Sequence, residues 1–243
     1  MNIIKLSAIN STNDYLKELL ATRHVDNYTV AVAENQMAGR GQMGSQWNAE
    51  PGKNLTFSLL VKDLLPDVSG VFGLNVAVAV AIAEALVAFN IPALSVKWPN
   101  DILAGNKKLG GVLIENSIKS NGEIYSVIGI GINVNQQNFD GLPKATSLFV
   151  AAGGKELDKE AVMIAILQKV KQHLSGLLNN NQQALWEAYH SKLYKKDIPM
   201  PFEKGGKQFM GIIQGVSANG SLRVLLQDDT IAEYGLKEVQ LLY

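Results

Sequence analysis

The chain has 243 residues, 47% of them hydrophobic, and its 22 basic residues balance 22 acidic ones. This length and hydrophobic content fit one large domain, or a larger and a smaller one, and exclude an intrinsically disordered chain. The chain contains no cysteine, which excludes disulfides, thiolate metal sites and a cysteine nucleophile and is typical of cytoplasmic proteins, while the balanced charge argues against DNA or an anionic membrane as a partner.

The first third of the chain mixes strand and helix signals. The N-terminal apolar run has no basic segment before it, so it predicts a strand rather than a targeting signal. Ser11 and its polar neighbours precede an amphipathic run at 15–20, which is typical of a capped helix. A glycine-rich segment, 39–53, contains almost no apolar residues. The strands predicted in this part are residues 3–6, 28–33 and 55–61.

The middle of the chain contains its most apolar run, residues 74–89. Asn75 and Glu84 interrupt this run, and it is short for a membrane span, so the helical spacing of its apolar residues predicts a buried helix. Three strands are expected after it, and Asn121-Gly122 predicts a two-residue hairpin turn between the last two. These strands are residues 95–98, which end at a Pro-Asn-Asp turn, 109–115 and 125–134.

Two helices and a run of short strands complete the chain. Residues 159–178 form a long amphipathic helix, a triple asparagine at 179–181 breaks it, and a second helix carries Trp186. The composition changes near residue 197, and closely spaced strands with Asn-Gly and Asp-Asp turns predict a small β-barrel. Its strands are residues 209–216, 221–226, 230–234 and 239–242. We therefore predict two domains, 1–195 and 196–243.

The first segment that could carry chemistry is Gly39-Arg40-Gly41-Gln42-Met43-Gly44. It has the form G-x-G-x-x-G, but a dinucleotide site needs a helix that starts within the motif and binds the pyrophosphate with its amides. Here another strand follows, which argues against that type of site. Arg40 and Trp47 combine an anion partner with a flat apolar face, so the segment is predicted to be a loop that closes over an anionic ligand.

Two further segments place polar groups beside strands. In Lys97-Trp98-Pro99-Asn100-Asp101 the polar residues stand where a strand ends, although Pro-Asn-Asp also makes an ordinary turn. Lys107 is expected to be solvated, whereas the glycines after Lys108 allow a ligand to approach the backbone closely. The alternating glycines of residues 127–134 leave a strip of strand without side chains, on which either another element or a flat ligand packs.

Together these segments resemble the biotin–protein ligases, or biotin–[acetyl-CoA-carboxylase] ligases. The matching segments are residues 10–13, 34–47, 97–101, 107–111 and 129–134, in this order and spacing. The resemblance implies an α/β fold of the α+β type, in which a mixed sheet flanked by helices (as in class II synthetases) is followed by an SH3-like barrel. It also implies a reaction in which ATP activates biotin as biotinyl-5′-AMP, and a lysine of a biotin carboxyl carrier protein then accepts the biotin.

The resemblance assigns residues to each substrate. Lys108, Arg40 and Asp101 are the implied catalytic residues, with Asp101 orienting Lys108 or helping to hold Mg²⁺. The residues implied for biotin are Ser11, Thr12, Asn13, Gln36, Gly39, Arg40, Gly41, Gln42, Lys108 and Gly111. The residues implied for ATP or the adenylate are Arg40, Trp47, Lys97, Asn100, Asp101, Lys108, Gly129, Gly131, Asn133 and Lys237. The metal ligands are not predicted.

Two departures from the family pattern lead to further expectations. Gln42, Met43 and Ser45 stand at loop positions that are often basic in relatives, so we expect the intermediate to be held less by charge and more by loop packing. The chain begins ten residues before the biotin segment, which leaves no room for a winged-helix DNA-binding domain, so a ligase without repressor activity is expected. The carrier and the oligomeric state stay open, with a homodimer as one option.

Alternatives of two classes remain. Lipoate–protein ligases and octanoyltransferases share the catalytic fold, but are expected to have a longer apolar tunnel. A non-catalytic module that binds biotin or a nucleotide is expected to lack a lysine placed for phosphoryl chemistry, whereas Lys108 is present.

Overall fold

A seven-stranded mixed sheet forms the larger part of the molecule. The structure, a computed structural model, describes residues 1–64, 70–119, 122–178 and 182–243. The strands of this sheet are β1 (Ile3–Ile9), β2 (Val30–Gln36), β3 (Leu55–Lys62), β4 (Leu94–Lys97), β5 (Asp101–Ala104), β6 (Lys107–Ile118) and β7 (Ile124–Ile132). Their order is β1-β2-β3-β7-β6-β5-β4; β1 is parallel to β2, and the other pairs are antiparallel.

Helices cover the sheet and bury its apolar side chains. The described helices are α1 (Thr12–Thr22), α2 (Val71–Val87), α3 (Leu148–Ala151), α4 (Lys159–Leu178) and α5 (Gln182–Ser191). Ser11 caps α1, since its side chain accepts a hydrogen bond from the Asp14 amide at 3.3 Å. Nearly all of α2 is apolar and buried, and α4 and α5 pack against it. None of the helices in the described ranges is both long and apolar enough to cross a membrane.

A second, five-stranded antiparallel sheet comes after the helices, in the order β11-β10-β9-β8-β12. Its strands are β8 (Pro199–Lys204), β9 (Lys207–Val216), β10 (Leu222–Leu225), β11 (Ile231–Tyr234) and β12 (Gln240–Leu241). Phe202 and Val224 of this sheet belong to the same apolar core as α2 and the large sheet. The Gly220 turn between β9 and β10 lies against Phe72 of α2, because a Cβ at Gly220 would overlap that ring.

The predicted fold class is confirmed, with local corrections. The buried helix starts at Val71 and ends at Val87 rather than spanning 74–89. Strand β5 begins at Asp101, the last residue of the predicted Pro-Asn-Asp turn, and β5, α3 and β8 were not predicted. Asn121 of the predicted hairpin turn and the helix break at 179–181 lie outside the described residues. The division into residues 1–195 and 196–243 stays a prediction.

Candidate active site

The candidate site is a cavity of about 290 Å³ beside β6 and β7. The start of α1, the glycine-rich loop and the turn after β4 form its walls, and residues 236–237 reach it from the second sheet. Asn75 of α2 holds the turn in place, because its side-chain amide donates to the Pro99 carbonyl at 2.7 Å. The polar residue that interrupts the apolar helix therefore supports one wall of the site.

One wall carries a connected set of neutral polar groups. The backbone amide and hydroxyl of Thr12 donate to Gln36 Oε1 at 2.9 and 3.1 Å. The buried Ser58 Oγ lies 2.7 Å from Thr12 Oγ1 and 2.5 Å from Asn13 Oδ1. Ser11 completes this wall. Such groups on an otherwise apolar surface can orient a neutral polar ring by hydrogen bonds.

Cationic side chains meet at Asp101, which lines a second part of the cavity. Lys108 Nζ lies 2.6 Å from Asp101 Oδ1, and Lys97 Nζ lies 3.8 Å from Asp101 Oδ2. Burial lowers the pKa of Lys97, and the nearby charges of Lys108 and Lys144 lower it further, against the opposing effect of Asp101. The two ammonium groups of Lys97 and Lys108 beside one carboxylate leave an excess of positive charge, which suits an anionic ligand.

The glycine-rich loop is folded over β7. Backbone hydrogen bonds from Gly41 to Ser45 and from Trp47 to Gly39 close the loop on itself. The indole of Trp47 lies on Gly131, where an added Cβ would be 2.6 Å from Trp47 Cε2. The buried Nε1 of Trp47 has no hydrogen-bond partner among the described residues. The bare strip of β7 therefore receives an aromatic side chain in this state of the molecule.

Arg40 is held at the rim of the cavity by carboxylates. Its Nη2 lies 2.6 Å from Asp14 Oδ1 and 3.4 Å from Glu115 Oε1. Lys17 Nζ lies 2.8 Å from the same Asp14 oxygen and 2.9 Å from the same Glu115 oxygen. Burial raises the pKa of Asp14, but the hydrogen bonds from Arg40 and Lys17 outweigh it, so this pKa lies below its ordinary value. The hydrogen bond to Asp14 raises the pKa of Arg40.

Contacts from the second sheet complete the site. Lys237 lines the cavity, and its Nζ donates to the Met43 carbonyl in the loop at 2.7 Å. Trp98 Nε1 donates to the carbonyl of Gly220 in the β9–β10 turn at 2.9 Å. The second sheet thus holds both the loop and the turn after β4.

Most of the residues predicted from the sequence come together at this cavity. Those that line it are Ser11, Thr12, Asn13, Gln36, Arg40, Gly41, Gln42, Trp47, Asn100, Asp101, Lys108, Gly111, Gly129, Gly131 and Lys237. Gly39, Lys97 and Asn133 do not line it. Gly39 packs against the Trp47 backbone, Lys97 reaches Asp101 from a neighbouring cavity, and the Asn133 side chain donates to the Thr146 carbonyl at 3.0 Å.

Several site residues were not predicted. Asp14, Lys17 and Glu115 surround Arg40, and Ser58 joins the polar wall. A signal existed for two of them, because Glu115 and Ser58 are polar residues within apolar strand runs. Met43 and Leu236, both exposed, stand at the mouth of the cavity.

Comparison with known proteins gives consistent matches. The model of the Biotin/lipoate A/B protein ligase family matches residues 6–135. The bifunctional ligase/repressor BirA of Salmonella typhimurium is 29% identical over 245 residues, which cover 99% of this chain and 74% of that protein. The biotin–[acetyl-CoA-carboxylase] ligase of Mycobacterium tuberculosis is 29% identical over 217 residues, which cover 87% of this chain and 79% of that protein.

A solved structure shows that the similarity includes the three-dimensional fold. The biotin protein ligase from Aquifex aeolicus, in complex with biotin and ATP, superimposes with a TM-score of 0.81 at 28% identity. The alignment covers 99% of this chain and 98% of that one.

Proposed function

The chain belongs to the Biotin/lipoate A/B protein ligase family, and from that premise we propose that it is an ATP-dependent biotin–protein ligase. It activates biotin as biotinyl-5′-AMP and transfers the biotinyl group to a lysine of a biotin carboxyl carrier protein. The similarity to an Aquifex aeolicus ligase solved with biotin and ATP supports both small substrates.

The single observation that carries the proposal is the pairing of two unlike walls in one cavity. The hydrogen-bonding wall around Thr12 suits the neutral ureido ring of biotin. The cationic wall around Lys108 and Asp101 suits a carboxylate and a phosphate that must approach each other despite their like charge. Gly131 provides a bare stretch of β7 on which a flat adenylate can lie once Trp47 moves, and the neighbouring Gly129 lies against the side chain of Asn13.

In the first step, a carboxylate oxygen of biotin attacks the α-phosphorus of ATP. The bond from the α-phosphorus to the oxygen bridging to the β-phosphate breaks, and pyrophosphate leaves with the electron pair. Lys108 and Arg40 offset the negative charge of both reactants and of the transition state. Asp101 orients Lys108 through their 2.6 Å contact. Lys97 adds positive charge beside Asp101.

In the second step, the neutral ε-amine of the carrier lysine attacks the carbonyl carbon of the mixed anhydride. The carbon–oxygen bond to the phosphate breaks, AMP leaves, and the nitrogen loses a proton as the amide forms. No nucleophile from the enzyme is needed, which agrees with the lack of cysteine. Closure of the loop that carries Trp47 excludes water, which would otherwise hydrolyse the anhydride.

Magnesium fits this cavity only as an ion that enters with the nucleotide. The described residues contain no group of three or more His, Cys, Asp or Glu side chains placed to bind a metal. Asp101 is the only carboxylate among the described residues that line the cavity. One carboxylate together with substrate phosphates is a usual environment for Mg²⁺, which would neutralise phosphate charge there.

The proposal is tested by pyrophosphate exchange with the purified chain. We expect exchange into ATP that depends on biotin, with little exchange when lipoate replaces biotin. Labelled biotin should then pass to a biotin carboxyl carrier domain in the presence of ATP and magnesium. Exchange with lipoate but not with biotin would assign the chain to the other activity of its family, and exchange with neither would refute a ligase function.

A further inference from the structure

A second cation lies behind Arg40 and shares both of its partners. Lys17 is on α1 and does not line the cavity. Its ammonium group contacts the same oxygens of Asp14 and Glu115 that Arg40 contacts, at 2.8 and 2.9 Å. Asn13, from the polar wall, donates to the other Glu115 oxygen at 2.7 Å. The four charged groups therefore form one cluster of two cations and two anions that connects to the polar wall through Asn13.

The charges of this cluster are balanced, and this balance bears on ligand binding. All four groups are stabilised in their charged forms: the pKa values of Asp14 and Glu115 lie below their ordinary values, and those of Lys17 and Arg40 lie above them. If Arg40 moves towards an anionic ligand, the single positive charge of Lys17 remains to offset one of the two carboxylate charges. Without Lys17 the cluster would carry a net negative charge, which would retain Arg40 and repel an incoming anion.

We propose that Lys17 is a positioning residue for the ligase reaction, since it offsets part of the charge of Asp14 and Glu115 and so lets Arg40 leave them to bind the carboxylate of biotin or a phosphate of ATP. The inference rests on the proposed function. Arg40 is suited to this exchange of partners because it is on the loop and its side chain is 44% exposed, more than those of the other three. Loops that carry few packing contacts move more readily than helices.

The test measures equilibrium binding of biotin and of ATP by calorimetry, together with biotin-dependent pyrophosphate exchange. Lys17→Met should weaken the binding of biotin, ATP or both by about threefold to tenfold, the range expected for one partly screened charge. Lys17→Arg should restore binding to within about twofold. Asp14→Asn should not weaken binding. This variant should bind the same anion at least as tightly as the unaltered protein, because it gives the cluster a net positive charge.

Three controls separate positioning from general damage. Lys5→Met removes a lysine that pairs with Glu160 on the surface, away from the cavity, and should change nothing. Asp14→Asn in the Lys17→Met background should restore balance and binding. Binding of an uncharged biotin amide should be the same for the unaltered protein and Lys17→Met, because no anion then competes for Arg40.

The outcomes distinguish the two claims. If the unaltered protein binds neither biotin nor ATP, the proposed function fails and the inference falls with it. If it binds both, and Lys17→Met binds both within twofold of it, the inference alone is overturned. Equal weakening by Lys17→Met and Asp14→Asn, with the amide affected as well, would also overturn it, because that pattern indicates a purely structural role.

Discussion

Adding one methyl group at Gly131 is expected to prevent Trp47 from lying on β7. In Gly131→Ala the new Cβ would lie 2.6, 2.8 and 2.9 Å from Cε2, Cζ2 and Nε1 of the indole. Contacting carbon atoms normally stand about 3.5–4.0 Å apart. The indole must therefore move away by about 1 Å. Strand β7 is expected to stay in place, because the atoms that the new Cβ would contact belong to a side chain on a loop.

The size of the effect is set by the cost of overpacking. Extra carbon atoms in a well-packed place cost about 1–3 kcal/mol, which corresponds to about a 5- to 150-fold change in an equilibrium constant. ATP binding should weaken by a factor in that range, because the added methyl group occupies the place on β7 where the adenylate is proposed to lie. The free energy of unfolding should change far less, because the loop can open and relieve the clash.

The experiment combines calorimetry with fluorine NMR. The protein contains three tryptophans, so 5-fluorotryptophan labelling should give three resonances, and Trp47→Phe identifies the one from the loop. In Gly131→Ala only the Trp47 resonance should change, and its chemical shift should move towards the value of a solvent-exposed indole. Gly176→Ala is the matched control, since the space around Gly176 in α4 is open; it should stabilise the fold by about 0.5–1 kcal/mol and leave ATP binding unchanged.

The reasoning is refuted if Gly131→Ala binds ATP with unaltered affinity and its Trp47 resonance stays in place. A large loss of stability would also contradict it, because the clash would then lie within the sheet rather than between the sheet and a loop.

Three other substitutions give separate expectations. Lys108→Ala should lower the rate of biotin-dependent pyrophosphate exchange by about 100- to 1000-fold. Its melting temperature should stay near that of the control Lys107→Ala, which alters the exposed neighbouring lysine. Full activity of Lys108→Ala would contradict the catalytic role of Lys108. Asn75→Ala should destabilise the fold by about 1–3 kcal/mol in urea denaturation, since the Pro99 carbonyl loses its donor; an unchanged midpoint would contradict this. Burial lowers the pKa of His190 in the folded protein below its ordinary value of 6.5. The folded state therefore favours neutral His190, and this stabilisation is fully present above about pH 6.5 and is lost as the pH falls towards the folded-state pKa. Melting curves from pH 5 to 7.5 should show this loss in the unaltered protein and less of it in His190→Gln; identical curves would refute the assignment.

The elements that were predicted from the sequence are those with a strong local pattern. Helix α4 has apolar residues at helical spacing, and β7 is an apolar run with glycines in alternation. Strand β8 lacked such a pattern because Pro199 and Pro201 argue against a strand. The structure tolerates both prolines since β12 is only two residues long, and it pairs with Phe202 and Glu203 beyond them.

The candidate site was predictable where its residues are close in the chain or match a family motif. The Arg40 cluster was not, because Asp14 and Glu115 lie 101 positions apart in the sequence and come together only when α1 packs on β2, β3 and β7 and its side chains reach β6. The buried amide of Asn133 was expected to need partners, and in the structure it donates to the Thr146 carbonyl. The adenylate contact that the family resemblance implies for Asn133 stays a prediction.

The β9–β10 turn has a consequence for protein engineering. Gly220 accepts a hydrogen bond from Trp98 and leaves room for the ring of Phe72, so one glycine of the second sheet contacts both the turn after β4 and helix α2. His190 of α5 adds a bond from the Val216 amide at 3.1 Å. A chimera that exchanges the C-terminal region between two ligases must therefore transfer these contact partners together with the strands. Otherwise the two parts will not pack correctly against each other at the catalytic centre.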